Sequence, residues 1–174
     1  MKKIVILGPE STGKSTLCTQ LAMHYQTSWV PEFARQYLLD NGMNYTYDDL
    51  LIIAKGQVAS EDEMTRHKQV NELLFLDTDM YVMKVWCEYV FKKCHAWILE
   101  QISRRKYDMY LLCNVDLPWV KDELREYPDL KHRLALYEIY KNILNHQHVP
   151  WAEISGSYET RLHMATNAIN QLSQ

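Results

Sequence analysis

Apolar residues fall into short unbroken runs separated by longer amphipathic stretches, and the two kinds of segment alternate along the chain. Lys3–Leu7 comes first: Ile4-Val5-Ile6-Leu7, with no polar interruption, reads as a strand buried on both faces. The pattern then predicts a helix from Lys14 to about Tyr25, a short strand near Ser28–Pro31, and a helix from Glu32 to about Leu39 that stops at Asn41-Gly42. Thr46, with Asp48 and Asp49 behind it, starts a helix that runs to about His67. Leu73–Leu76 is the third strand, Met80–Phe91 and His95–Arg105 are helical, and Met109–Cys113 is the fourth strand. A polar, proline-bearing segment covers Asn114 to Asp129. A helix from about Leu130 to Asn145 follows, then a last strand near Trp151–Ile154. Ser155-Gly156-Ser157 turns into a final helix ending near Leu172.

Strands that alternate with helices predict an α/β fold: a five-stranded parallel sheet with helices on both faces. In such sheets ligands bind outside the carboxyl ends of the strands. That rule brings four segments to one edge: the loop after the first strand, the Glu32 region, the Asp77–Asp79 region and the Asn114 segment. No internal repeat or low-complexity linker interrupts the pattern.

Length and composition narrow the picture. The 174 residues suit a single domain, 1–174, with a sizeable core. A net charge of −3 offers no global attraction to nucleic acid. No apolar run approaches the ~20 residues of a membrane span. Met1-Lys2-Lys3 resembles the start of a signal peptide, but the apolar stretch ends after Leu7, too soon for its hydrophobic region. A cytoplasmic protein is expected, and Cys18, Cys87, Cys94 and Cys113, without a C-x-x-C pair, read as four buried thiols. His146 and His148 read as a solvated helix end rather than a metal site.

The chemistry begins at Gly8-Pro9-Glu10-Ser11-Thr12-Gly13-Lys14-Ser15. A G-x4-G-K-[ST] run between a strand and a helix is the P-loop, and its context matches. Glycines let the backbone fold back so that successive N–H groups and the positive end of the following helix meet a phosphate chain. Gly8, Glu10, Ser11, Thr12, Gly13, Lys14, Ser15 and Thr16 are therefore the expected nucleotide-binding residues. Lys14 would reach the β- and γ-phosphates and Ser15 would bind Mg²⁺.

Asp77 ends an apolar strand, where a P-loop protein carries the carboxylate that holds Mg²⁺. Asp79 follows in the next turn; Asp-Thr-Asp after a strand also suits helix capping. Glu32 and Arg35 share a helical face. They read either as a surface ion pair or as an acceptor site, with Glu32 orienting a hydroxyl and Arg35 steadying a phosphate. Asn114–Asp129, with Pro118, Trp119, Asp122 and Arg125 and with Lys121, Lys131 and Arg133 near, reads as a cationic lid over about 114–129. Its Arg125 would neutralise the transferring phosphoryl group. The alternative is a solvated loop. Gly156 could let backbone approach an adenine, or simply turn the strand into the helix.

With these segments assembled, the chain resembles the ribosylnicotinamide kinase domain of NadR-type proteins. The resemblance is carried by Gly8–Thr16, Glu32–Tyr37, Phe75–Asp79, Trp86-Cys87, Pro118-Trp119 through Arg125, and Ser157–Arg161, and so spans essentially the whole chain. It implies a P-loop kinase fold with strand order 2-3-1-4-5, and ATP-dependent phosphorylation of the 5′-hydroxyl of nicotinamide riboside with Mg²⁺. It also implies that Glu32, Arg35, Asp77 and Asp79 surround the acceptor ribose while Arg125 acts from the lid. Two positions depart from the family. Pro31 stands where an aromatic precedes the glutamate, and Asp122-Glu123-Leu124-Arg125 replaces Asp-Gly-x-Arg, which implies a stiffer lid. Full-length members add an adenylyltransferase domain, and the 174 residues are expected to hold the kinase domain alone. Nicotinamide riboside is a cation, which favours aromatic faces and carboxylates. Tyr37, Tyr45, Tyr47, Tyr81, Trp86, Asp77 and Asp79 could supply them, unless the aromatics are core. A kinase for another nucleoside or nucleotide, and an ATP-binding regulatory module without useful turnover, are the alternative functions.

Overall fold

In the computed structural model, which describes residues 1–66, 72–124 and 126–172, the apolar runs form one parallel sheet. The strands are β1 (Lys2–Leu7), β2 (Trp29–Val30), β3 (Leu73–Asp77), β4 (Met109–Cys113) and β5 (Trp151–Ile154), in the order β2-β3-β1-β4-β5. The expected fold class and strand order are both present. β2 is shorter than the sequence suggests. It pairs only with β3, through Trp29 and Val30, and Pro31 has no N–H to extend the ladder. β3 is longer by one residue, because Asp77 pairs in register with Ile6. The carboxylate thus sits on the last rung of the sheet, level with the start of the P-loop.

Seven helices connect the strands among the described residues: α1 (Lys14–His24), α2 (Phe33–Asn41), α3 (Tyr47–Arg66), α4 (Met80–Phe91), α5 (Ala96–Arg104), α6 (Leu130–Asn145) and α7 (Tyr158–Gln171). His67, where α3 was expected to end, lies outside the described residues. α3 opens with a reciprocal cap: the Thr46 hydroxyl accepts from the Asp49 N–H while the Asp49 carboxylate accepts from the Thr46 N–H. α2 begins at Phe33 rather than Glu32, because Glu32 keeps an extended backbone (φ −65°, ψ 111°) at the N-cap position.

The two faces of the sheet follow strand alternation. Val5, Leu7, Leu74, Leu76, Tyr110 and Leu112 meet Val82 and Val85 of α4 and Leu136, Tyr137, Tyr140 and Leu144 of α6. Ile4, Ile6, Phe75, Met109, Leu111 and Cys113 meet Leu17, Cys18 and Leu21 of α1 and Ala165 and Ile169 of α7. A third cluster joins α2 to α5, with Met80, Met83 and Cys87 on the other side of α4. The four cysteines are free thiols; three are buried, whereas Cys94, in the connection between α4 and α5, is only partly so. Among the described residues no helix is long and apolar enough to cross a membrane.

Candidate active site

Residues 8–13 leave β1 and double back into α1. Gly8 (φ +143°) could not carry a side chain, since a Cβ there would lie 2.7 Å from the Cys113 carbonyl oxygen. Gly13 (φ +77°) and Ser11 (φ +56°) take left-handed conformations that curl the loop. Thr12 is buried and its hydroxyl donates to the Pro9 carbonyl at 2.7 Å. The Lys14 ammonium donates to the same carbonyl at 2.9 Å. Pro9, which offers no N–H to a phosphate, thus provides the resting place of the loop's lysine.

Asp77 stands beneath this loop. Its Oδ2 accepts from the Ser15 hydroxyl at 2.5 Å, while its Oδ1 is buried without a partner. Burial, and then the negative charge of Glu32, push the Asp77 carboxyl up to about 7, against the pull of Lys14 and the Ser15 hydroxyl. A carboxylate that is dry, half-satisfied and adjacent to another negative charge is arranged for a cation. Gln57 of α3 fixes this pairing of segments: its Oε1 accepts from the Phe33 N–H at 2.7 Å, and its Nε2 donates to the carbonyls of Pro31 (3.3 Å) and Asp77 (3.4 Å).

A cleft of about 460 Å³ runs from the P-loop between α2, α4 and the segment after β4. Gly8 through Thr16 line one end; Glu32, Arg35 and Trp86 line the other. Tyr89, Tyr127, Tyr140 and Tyr158 also line it, none of them signalled by local sequence.

Residues 114–129 fold over the cleft. The Arg35 guanidinium reaches Asp122 at 3.0 and 3.4 Å. The Ser11 hydroxyl accepts from the Val120 N–H at 3.0 Å. Glu10 makes the densest link: its carboxylate accepts from Trp119 Nε1 (3.3 Å) and from the N–H groups of Glu126 (2.9 Å) and Tyr127 (2.6 Å). Among the described residues this segment is fastened by groups of both charges: Asp122 and Glu126 accept from Arg35 and Tyr45, while the Arg133 guanidinium donates to the carbonyls of Ser11, Val115 and Leu117. Arg125 lies outside the described residues.

Three sequence expectations are corrected. Asp79 is a cap, not a wall of the cleft. Its Oδ1 accepts from the N–H groups of Tyr81 (3.0 Å) and Val82 (3.3 Å) at the start of α4, and its Oδ2 from the Tyr110 hydroxyl at 3.2 Å. Burial holds it near 7. Tyr81 is likewise outside the cleft lining, tilted against Tyr110 at 5.7 Å. Gly156 is outside the cleft lining and bonds elsewhere: its N–H donates to Asp116 at 2.5 Å and its carbonyl accepts from Arg161 Nε at 2.8 Å. Glu10 lines the cleft as expected, yet its carboxylate is spent on the lid.

No local pattern signals what Arg161 does, although it lies in the matching stretch Ser157–Arg161. Its guanidinium is buried (1% exposed) and donates to the carbonyls of Thr12 (2.9 Å), Asn114 (3.0 Å) and Gly156, and to the Asp116 carboxylate. One side chain of α7 thus ties the P-loop to the ends of β4 and β5.

Comparison with known proteins agrees with this geometry. The family profile described as an AAA domain matches residues 3–161. The Trifunctional NAD biosynthesis/regulator protein NadR of Salmonella typhimurium is 25% identical over 177 aligned positions, covering 99% of this chain and 43% of its own length. The chain therefore spans less than half of that relative. A crystal structure of NadR protein in complex with NR superimposes with a TM-score of 0.82 at 21% identity, over 98% of this chain and 49% of the other. Deoxyadenosine kinase from M. mycoides, solved with products bound, gives a TM-score of 0.64 at 12% identity, over 97% and 99% of the two chains. On the profile match, the P-loop kinase fold and the full-length correspondence to one part of NadR, this chain belongs to the AAA domain family and is a NadR homologue.

Proposed function

We propose that this chain is an ATP-dependent kinase that phosphorylates the 5′-hydroxyl of nicotinamide riboside, giving nicotinamide mononucleotide for NAD salvage in the cytoplasm. The observation that carries the reading is Glu32. It lines the cleft at the N-cap of α2, its carboxylate makes no capping hydrogen bond, and its charge acts on Asp77 beside the P-loop. A carboxylate left open at that point suits an acceptor hydroxyl. The relationship to NadR favours nicotinamide riboside as the acceptor, and the aromatic lining of the cleft suits its ring.

In this reading the amides of Gly8 and of Glu10 to Thr16 hold the phosphates of ATP and the Lys14 ammonium leaves the Pro9 carbonyl for them. Mg²⁺ fits Ser15 and Asp77, because the orphaned Asp77 Oδ1 and the Ser15 hydroxyl are oxygen donors of the kind it takes. No group of three His, Cys, Asp or Glu side chains among the described residues could hold a metal alone, so phosphate oxygens would complete the shell. Bound there, the metal would offset negative charge on the phosphates. Glu32 orients the 5′-hydroxyl and accepts its proton. The acceptor oxygen bonds to the γ-phosphorus as that phosphorus parts from the bridging oxygen, leaving ADP. Arg125, placed by the sequence in the lid, is assigned to the charge on the transferring group. Arg35 and Trp86 flank the acceptor.

A nucleotide acceptor would bring its own phosphate and need a free cation near α2. Among the described residues that line the cleft, Arg35 is the cation there, and it is already held by Asp122. The test is incubation of the purified protein with ATP, Mg²⁺ and a panel of nucleosides and nucleoside monophosphates, with products identified by mass. Nicotinamide mononucleotide and ADP in equal amounts are expected. Transfer only to another member of the panel overturns the acceptor, and ATP binding without transfer to any member leaves a regulatory module.

A further inference from the structure

Glu126, an exposed residue, stands at the lid end of the cleft, and both its carboxylate oxygens accept from a single phenol, Tyr45 Oη, at 3.0 and 3.2 Å. Tyr45 in turn accepts from Trp86 Nε1 at 3.0 Å and meets the indole edge-on, with ring centroids 5.0 Å apart. Trp86 and Glu126 both line the cleft, as do Tyr89 and Tyr127, whose rings meet edge to face at 5.7 Å. Several acids of this chain are paired with a cation: Glu61 has Lys3 and Arg105, Asp122 has Arg35, and Asp116 has Arg161. Among the described residues no ammonium or guanidinium pairs with Glu126. Burial raises its pKa, the Tyr45 phenol lowers it, and the neighbouring charge of Glu10 raises it again. The carboxylate is held in place by Tyr45, beside the aromatic faces that line the cleft, and among the described residues it has no cationic partner.

We propose that Glu126 is a specificity-determining residue which, with Trp86 and Tyr127, selects an acceptor whose base is a permanently cationic aromatic ring. The inference rests on the acceptor named above and moves the counter-charge for its pyridinium from Asp77 and Asp79 to the lid. A cationic ring would relieve the carboxylate and meet the negative faces of the aromatic rings at once. A neutral ring of the same shape would shield the carboxylate further and give nothing back. Tyr45 acts as a positioning residue, because its hydroxyl fixes the Glu126 carboxylate against Trp86.

The discriminating pair of substrates is nicotinamide riboside and its 1,4-dihydro form, which have nearly the same shape and differ in ring charge. Phosphorylation of each is measured at saturating ATP. The wild-type protein is expected to favour the cation in kcat/KM. Glu126→Gln should reduce that preference about tenfold, chiefly through KM, a size within reach of a desolvated charge contact. Tyr45→Phe, which keeps the charge and loses the tether, should reduce it by less. If Glu126→Gln keeps the wild-type ratio, or loses rate equally on both rings, the role of Glu126 is overturned while the acceptor stands. A wild-type protein that phosphorylates neither ring overturns the acceptor assignment, and this inference with it.

Discussion

At the phosphate end of the cleft, consecutive residues between Gly8 and Thr16 supply the binding groups and one strand-end carboxylate stands beneath them. At the proposed acceptor end, α2, α4, the Tyr45 loop and the lid each contribute one or two side chains, joined through Arg35–Asp122, Tyr45–Glu126 and Trp86–Tyr45. The first end is backbone geometry, which a short motif can encode. The second is an agreement among side chains far apart in sequence, so it can change its substrate without disturbing the phosphate cradle. A kinase fold that keeps one end constant and varies the other can serve many acceptors.

The largest expected effect tests the constant end. Among the described residues Lys14 makes one hydrogen bond, to the Pro9 carbonyl. Lys14→Ala should therefore leave thermal stability almost unchanged and reduce turnover on the order of 10³-fold, as when a preorganised transition-state contact is lost. Wild-type turnover in a well-folded Lys14→Ala protein would remove the P-loop from the chemistry. Next comes the junction of the two ends: Glu32→Gln should cut phosphoryl transfer at least ~10²-fold while the affinity for ATP stays nearly constant. A near-normal kcat would pass the role of base to Asp77.

Glu10 belongs to both ends, since a P-loop side chain holds the lid backbone. Glu10→Gln retains one acceptor oxygen and loses the charge, and hydrogen bonds to a charged group contribute roughly 1.5–3 kcal/mol. A KM for ATP raised about tenfold, with slower protease resistance gained on adding ATP, is the expected signature; an unchanged KM would show that the latch does not report on nucleotide.

The smallest effect concerns pH. Asp77 and Asp79 have an ordinary value of 3.8 and sit near 7 in the folded protein. The folded state therefore holds their protons more tightly than the unfolded chain does. The stability this gives is full below 3.8 and is lost as pH rises through about 7. The nucleotide-free protein should melt at a lower temperature at pH 7.5 than at pH 5. Asp77→Asn, which cannot ionise, should flatten part of that slope. Thermal unfolding of both proteins across this range provides the check, and parallel slopes would show that Asp77 is not the group responsible.

The contrast between the two ends also explains what could be read from sequence. Met80–Phe91, Met109–Cys113, Leu130–Asn145 and Trp151–Ile154 have the limits the hydrophobic pattern indicates, because each is bounded by local signals such as the Asp79 and Asp129 caps. The P-loop was legible for the same reason. Asp79 was not, since an acceptor-site carboxylate and an N-cap ask for the same residue after a strand; the Tyr110 hydroxyl, 31 residues on, completes its bonding as a cap. The Tyr45–Glu126 pair joins positions 81 apart, and no periodicity marks either residue.

Arg161 gives the molecule a temporal order. The P-loop is synthesised well before α7, since the guanidinium that grips its Thr12 carbonyl lies 149 residues later. A chain emerging from the ribosome carries the P-loop sequence long before it carries the side chain that fixes its shape. Nucleotide capture then becomes a property of the finished fold, and a growing or truncated chain that lacks α7 has the motif without the grip.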